Sequence, residues 1–218
     1  MHVHDLGPLW LESDGLAIPL SGNRITSALS RLLLDRGEKV RTDALIDAVW
    51  GESASKKAPA ALDTLMWRLR RVLDPGRSAN AASTILRTEE HGYRLTIPAN
   101  SIDSYQLDAA AFSIGNTEPA TLEATATVLA LWRGRPYDDV SDSGWLEARR
   151  AELAAEHLLV SQSRIDALLA LGEPERALAE LIPLLAAHPF VERLWAARML
   201  GLYQAGRPSE ALLSLIHI

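Results

Sequence analysis

Arg68, Arg70 and Arg71 crowd into four positions of a chain whose 218 residues carry a net charge of −6. An arginine presents a planar fork of donors that can grip O6 and N7 of guanine in the major groove, or the oxygens of a phosphate. On a helix, Thr64, Arg68 and Arg71 fall along one outer line, and a threonine methyl suits the thymine methyl. Leu62, Met66, Leu69 and Leu73 step by four, three and four, which makes a separate apolar stripe for a core. Asp63, Trp67 and Arg70 take the remaining surface. Between residues 56 and 77, Lys56, Lys57, Arg68, Arg70, Arg71 and Arg77 are opposed only by Asp63 and Asp74. Such a local excess is the electrostatic footprint of a nucleic-acid site in a protein that is not basic throughout. A solvated basic helix face is the plain alternative, and the neighbouring elements decide between the two.

Those elements can be read from punctuation and periodicity. "VHDLGPLWLESDGLAIPLSG" alternates short apolar runs with Gly, Pro and Asp-Gly, which predicts an N-terminal antiparallel meander. From Thr26 to Arg36 the apolar positions recur at helical spacing, with Gly37 as the stop. "RTDALIDAVWG" predicts a second helix with Thr42 as its cap, Leu45, Ile46, Val49 and Trp50 on one face, and Gly51 at its end. A third helix is expected from about Pro59 to Leu73, closed by Asp-Pro-Gly. After the loop "GRSANAAS", two β-rich runs, "TILRT" and "YRLTI", flank the short turn "EEHG". Three helices followed by a hairpin is the order of a winged helix-turn-helix, in which the third helix reads DNA.

Beyond the linker "PANSIDS" the texture changes to long Ala- and Leu-rich helices, expected at roughly 104–113, 119–132, 143–171, 174–187 and 191–205. "LGEPERAL" at 171–178 returns as "AGRPSEAL" at 205–212, so Gly172 and Gly206, Pro174 and Pro208, Ala177 and Ala211, and Leu178 and Leu212 are each 34 apart. That is the tetratricopeptide period. The fold class expected is mainly α with a small β component: a winged helix-turn-helix over 1–98, then an all-α, tetratricopeptide-like domain over 104–212.

Residues 19–97 resemble the OmpR/PhoB-type winged helix through "LLLDRGEKVRTDALIDAVWG", "ALDTLMWRLRRVL" and "ILRTEEHGYRL". "LALWRGRPYDDV", "WLEARRAELAAEHLLVSQSRIDALLALGE" and "HPFVERLWAARMLGLYQAGRPSEAL" are similar to the bacterial transcriptional activator domain. Together they resemble the Streptomyces antibiotic regulatory protein family (AfsR/DnrI type). The resemblance implies that Thr64 and Arg68 approach bases and that Trp67 and Arg70 lie at or near the DNA backbone, with the hairpin entering the adjacent minor groove. Binding to tandem direct repeats of duplex DNA, self-association there and contact with RNA polymerase are implied likewise. Two departures stand out. The wing tip reads Glu89, Glu90 and His91 where relatives carry a cation, which leaves Arg87 or Arg94 to meet phosphate. Leu65 and Trp67 also occupy positions that are polar in many relatives, and Trp67 serves either as packing for a neighbouring loop or as a contact to sugar-phosphate.

Residues 1–97 hold 13 basic against 12 acidic side chains, and the remainder 9 against 16. The acidic half thus explains the net charge and is expected to meet protein rather than nucleic acid. No cysteine is present, which excludes disulfides and thiolate sites, and no glycine-rich phosphate loop, His-Glu-x-x-His motif or nucleophile elbow occurs. Neither an enzyme nor a cofactor is expected. His2 and His4 would share a metal only with a third ligand, and are read as part of a frayed terminus. Asp138, Asp139 and Asp142 are expected to cap the following helix. Trp132, Trp145 and Trp195 are assigned to helices at core spacing. With no eighteen-residue apolar run and no signal-peptide pattern at the start, the reading is cytoplasmic.

The organisation predicts a DNA-binding regulator, and the resemblance implies that it is a transcriptional activator of a pathway-specific, secondary-metabolite gene cluster. The alternative is a helical interaction scaffold whose winged helix no longer binds DNA, favoured by the acidic wing. A ligand-sensing repressor with a pocket among the C-terminal helices is a further alternative. "LSLIHI" at 213–218 breaks the repeat, and one coding string for it is a sequencing-adapter end. Those six residues are therefore expected to be an assembly artefact in a protein that continues beyond Leu212.

Overall fold

Gly, Pro and Asp-Gly interrupt the first twenty residues often enough that only short strands form. A computed structural model describes residues 1–76, 83–116 and 122–214. Its meander joins β1 (His2–His4), β2 (Trp10–Ser13) and β3 (Leu16–Ile18) in sequence order, all antiparallel. The turn before β3 is Asp14-Gly15, both residues at positive φ, as an Asp-Gly hairpin turn requires. His2 and His4 are therefore not frayed. Strand pairing holds them, with His2 opposite Glu12 and His4 opposite Trp10.

Three helices follow: α1 (Asn23–Leu34), α2 (Thr42–Trp50) and α3 (Ala58–Leu73). Ile25, Ala28, Leu29, Leu32 and Leu33 of α1 are buried, as their spacing requires. Helix α1 ends at Leu34, two residues before the expected last residue Arg36, because Arg36 already has φ +48 and Gly37 φ +80. Thr42 is the first residue of α2 rather than its cap. The preceding strand β4 (Lys39–Arg41) was not legible as a strand, and it pairs with the wing. The wing is β5 (Leu86–Glu89) and β6 (Gly92–Leu95), so the second sheet has the antiparallel order β4-β6-β5. Gly92 is fixed by that pairing: a Cβ there would stand 2.4 Å from the Val40 carbonyl oxygen.

The chain divides into two compact units, one of Met1–Gln106 with Leu131–Glu152, the other of Leu107–Ala130 with Leu153–Ile218. In the first, Asp5 is fully buried and its carboxylate accepts hydrogen bonds from the Ser104 amide (2.8 Å), the Ser104 hydroxyl (2.6 Å) and the Tyr137 hydroxyl (2.7 Å). Burial pushes the Asp5 carboxyl above the usual carboxylate range.

The helices after the linker are α4 (Asp103–Asn116), α5 (Leu122–Leu129), α6 (Gly144–Ala170), α7 (Pro174–Ala187), α8 (Glu192–Gln204) and α9 (Pro208–Ser214). In the second unit the 34-residue repeat is a repeat of cap geometry. Gly172 and Gly206 have φ +74 and +73. The amide of Gly172 donates to Leu169 and that of Glu173 to Leu168, while Gly206 donates to Tyr203 and Arg207 to Leu202. Both are the paired closing bonds of a helix whose next residue is left-handed. Ile165, Leu168, Leu169, Ala177, Leu181, Leu185 and Leu194 form the core beneath them. Gly201 lets α8 approach closely, since a Cβ would meet Leu178 at 3.2 Å and Leu169 at 3.3 Å. Residues 215–218 of the expected artefact lie outside the described residues, as do residues 77–82 of the loop before the wing.

Candidate nucleic-acid interface

Helix α3 buries Leu62, Leu65, Met66, Leu69 and Leu73, so Leu65 widens the expected stripe rather than facing solvent. Thr64, Arg68 and Arg71 remain exposed along the outer line. The Thr64 hydroxyl donates back to the Ala60 carbonyl at 3.2 Å. Arg71 lies over the Trp67 ring, 5.1 Å from its centroid, and Trp67 is 50% exposed. A cation on an aromatic face one turn away holds both side chains on the surface of the helix.

Lys56 and Lys57 are exposed at the start of α3, where Lys57 is the cap residue and makes no side-chain capping bond. Two ammonium groups beside a helix N-terminus add to the positive end of its dipole, an arrangement suited to an anion.

Arg70 points the other way. Its guanidinium donates to the Leu86 carbonyl (2.9 Å) and the Thr88 hydroxyl (2.6 Å), and it stands 5.7 Å from the Tyr93 ring centroid. Tyr93 in turn donates to Asp63 Oδ1 at 2.7 Å. Burial and the Asp63 carboxylate push the Tyr93 phenol up to about 12. Asp63 and Arg70, both read as surface residues, therefore fasten α3 to the wing.

In the wing, Lys39, Arg94 and Arg87 are direct cross-strand neighbours in one row over the three strands. Three like charges would repel one another there. Glu89 lies among them and accepts from Arg94 at 2.5 Å, and the Arg94 guanidinium holds its carboxyl below the usual range. Arg94 also donates to the Gly37 carbonyl at 2.7 Å, while Arg87 donates to Thr84 at 3.3 Å and is exposed. The acidic tip thus shrinks to Glu90, beside His91, whose side chains are each 88% exposed. The His91 carbonyl accepts from the Thr42 amide at 3.0 Å, which docks the tip on the start of α2.

A cleft of about 580 Å³ opens beside the outer line of α3, with Thr64, Leu65 and Arg68 on one wall and Gly22, Arg24 and Trp50 on the other. Arg24 lies over the Trp50 ring at 5.7 Å. Neither Arg24 nor Lys39 was singled out in the sequence. Forty residues of chain separate Arg24 from Thr64, and no spacing rule connects them.

The remaining sequence candidates have structural work. Asp139 accepts from the Leu9 amide at 2.7 Å, and Asp142 pairs with Arg150 at 2.6 Å and Arg135 at 3.1 Å. The Ser143 carbonyl accepts from the amides of Leu146 and Glu147, the third and fourth residues of α6. Trp132 follows the end of α5 and is not helical, while Trp145 and Trp195 are half-buried on α6 and α8.

A family model described as "Transcriptional regulatory protein, C terminal" matches residues 19–95, and one described as "Bacterial transcriptional activator domain" matches residues 104–215. The transcriptional regulatory protein EmbR of Mycobacterium tuberculosis H37Rv is 31% identical over 213 residues, which are 95% of this chain and 54% of EmbR. The regulatory protein DnrI of Streptomyces peucetius is 31% identical over 226 residues, covering all of this chain and 83% of DnrI. The solved structure of M. tuberculosis EmbR in complex with a low-affinity phosphopeptide matches with TM-score 0.84 at 28% identity, over 98% of this chain and 57% of that one. The chain spans about half the length of the EmbR proteins it matches.

Proposed function

Because the chain belongs to the family of Streptomyces antibiotic regulatory proteins, we propose that it binds duplex DNA in a sequence-specific way and activates transcription of a pathway-specific gene cluster. One observation carries this reading. Thr64, Arg68 and Arg71 project from one line of α3, while the other arginine of that helix, Arg70, is spent on holding the wing. Arg68 is the residue assigned to a guanine edge and Thr64 to a thymine methyl. Lys56, Lys57, Arg71, Arg87 and Trp67 are assigned to the DNA backbone, joined by Arg24 across the cleft. Such contacts set register without reading sequence. Arg70 and Arg94 act by holding the surface in shape, with at most one face left for phosphate.

The pairing of Glu89 with Arg94 is neutral overall and leaves Arg87 exposed on the neighbouring strand, which weighs against the scaffold alternative. Family membership supports a place in the cytoplasm, tandem direct repeats as the target, self-association on them and RNA polymerase as the protein partner. Among the described residues no helix is long and apolar enough to cross a membrane.

Fluorescence anisotropy with labelled random duplex over a salt series, followed by selection of the bound sequences, tests the proposal. Affinity is expected to fall steeply with salt as counterions are released. On the selected site, Arg68→Ala is expected to lose about 1–3 kcal/mol and to relax specificity at one base pair. Failure to bind any duplex at low salt would overturn it.

A further inference from the structure

The two histidines of β1 meet a buried carboxylate that lies about a hundred residues away in the chain. His2 Nε2 is 2.7 Å from Asp103 Oδ1 and His4 Nδ1 is 3.1 Å from Asp103 Oδ2. One ligand atom from each of the three residues lies within 4.8 Å of the others. Alternation along a strand puts residues i and i+2 on one face, and the pairing of β1 with β2 fixes that face. Asp103, the first residue of α4, has no exposed surface.

We propose that His2, His4 and Asp103 form a binding site for a divalent transition cation of the Zn²⁺ class. Two imidazoles and one carboxylate are donors that zinc and its neighbours accept at about 2.0–2.2 Å, whereas Mg²⁺ and Ca²⁺ favour all-oxygen sets. The surroundings of His4 argue for a cation. Its Nε2 is 3.1 Å from Glu12 Oε2 while its Nδ1 faces Asp103, and its ring stacks on Trp10 with centroids 3.8 Å apart. A neutral imidazole has one N–H, so it cannot donate to both carboxylates. A cation held by His4 Nδ1 and Asp103 would leave Nε2–H to donate to Glu12, so that one N–H and one metal bond satisfy both sides of the ring. A carboxylate on the far nitrogen of a ligating histidine is the usual outer partner of such sites.

Arg133 pairs with Asp103 Oδ2, and the carboxylates of Asp103 and Glu12 flank His4 on its two ring nitrogens. The His2 side chain is 30% exposed and gives access from solvent. Binding would tie the N-terminal strand to the first residue of α4, and a ligand that binds only the folded state raises its stability.

Calorimetric titration of the untagged full chain with Zn²⁺, and with Mg²⁺ and Ca²⁺ in parallel, tests the site. The expected result is one Zn²⁺ per chain, a raised thermal midpoint, and neither effect with Mg²⁺ or Ca²⁺. His2→Gln, a change at the open edge, should abolish both effects, while His188→Gln should change neither. Glu12→Gln should weaken binding about 10–100-fold, as expected for an outer partner. Co²⁺ should give a visible absorption band that His4→Gln removes. Absence of Zn²⁺ binding by the wild type, or binding that His2→Gln and His4→Gln leave unchanged, would overturn the proposal, and neither result touches the DNA-binding reading.

Discussion

The Tyr93 hydroxyl donates to Asp63 Oδ1 across 2.7 Å, joining the wing to the helix proposed to read DNA. Arg70, two turns further along that helix, closes the same contact from the other side by lying over the Tyr93 ring and donating to Leu86 and Thr88. Helix and hairpin are therefore fastened to each other at both Asp63 and Arg70.

Replacing Tyr93 with Phe removes the hydroxyl and leaves Asp63 without that donor, at an expected cost of about 1 kcal/mol in unfolding free energy. The pH dependence has a definite sign. Folding raises the phenol from its ordinary value near 10 to about 12, so the stabilisation is fully present below pH 10 and is lost as pH rises through 12. Urea melts of wild type and Tyr93→Phe should converge over that interval. A constant difference between them would remove Tyr93 from the explanation.

Arg68→Ala and Arg70→Ala should separate cleanly although they are neighbours on one helix. Arg68 is exposed on the outer line, so its loss is expected to reduce affinity for the selected duplex by about 1–3 kcal/mol and leave the thermal midpoint within error. Arg70 holds two hydrogen bonds to the wing, so its loss is expected to lower stability by about 1–3 kcal/mol. Thermal melts and anisotropy on the same preparations decide the matter, and equal effects of both variants on both readouts would contradict the division of labour.

Gly92→Ala puts a methyl 2.4 Å from the Val40 carbonyl oxygen, closer than unbonded atoms approach. Strands β4 and β6 would have to part, at an expected cost of at least about 1–3 kcal/mol for forcing atoms into a packed site. Amide exchange of Thr42, which donates to the tip carbonyl of His91, should accelerate in the variant. Unchanged protection there would mean that the wing does not need β4.

Periodicity was enough to read α1, α2, α3 and the helices of the 34-residue repeat, because each has an apolar stripe or a Gly-Pro boundary that local physics enforces. Strand β4 was not readable: three residues, "KVR", form a strand only because β6 arrives from fifty residues away. For the same reason the outer line of α3 could be drawn from the sequence but the fate of Arg70 could not. Its partners Leu86, Thr88 and Tyr93 lie across the loop, and a helical wheel places Arg70 on the surface without saying what covers it. The frayed-end reading of His2 and His4 failed similarly, since Asp103 is supplied by the linker and no local pattern announces it.

The second unit should lose stability in mild acid through His157. Burial, and then the charge of His188, lower its pKa from the ordinary value near 6.5. Below 6.5 the unfolded chain takes up a proton that the folded chain refuses, so unfolding free energy is fully retained above 6.5 and falls as pH drops from 6.5 toward the lowered value. His157→Gln should flatten this part of the stability profile, and His188→Gln should flatten it partly by removing the repulsion. Urea midpoints by circular dichroism at pH 7.5, 6.5 and 5.5 measure the slope. If wild type and His157→Gln fall in parallel, the proton goes elsewhere; if only wild type falls, the half-buried ring in the middle of α6 is the acid-sensitive point of that unit.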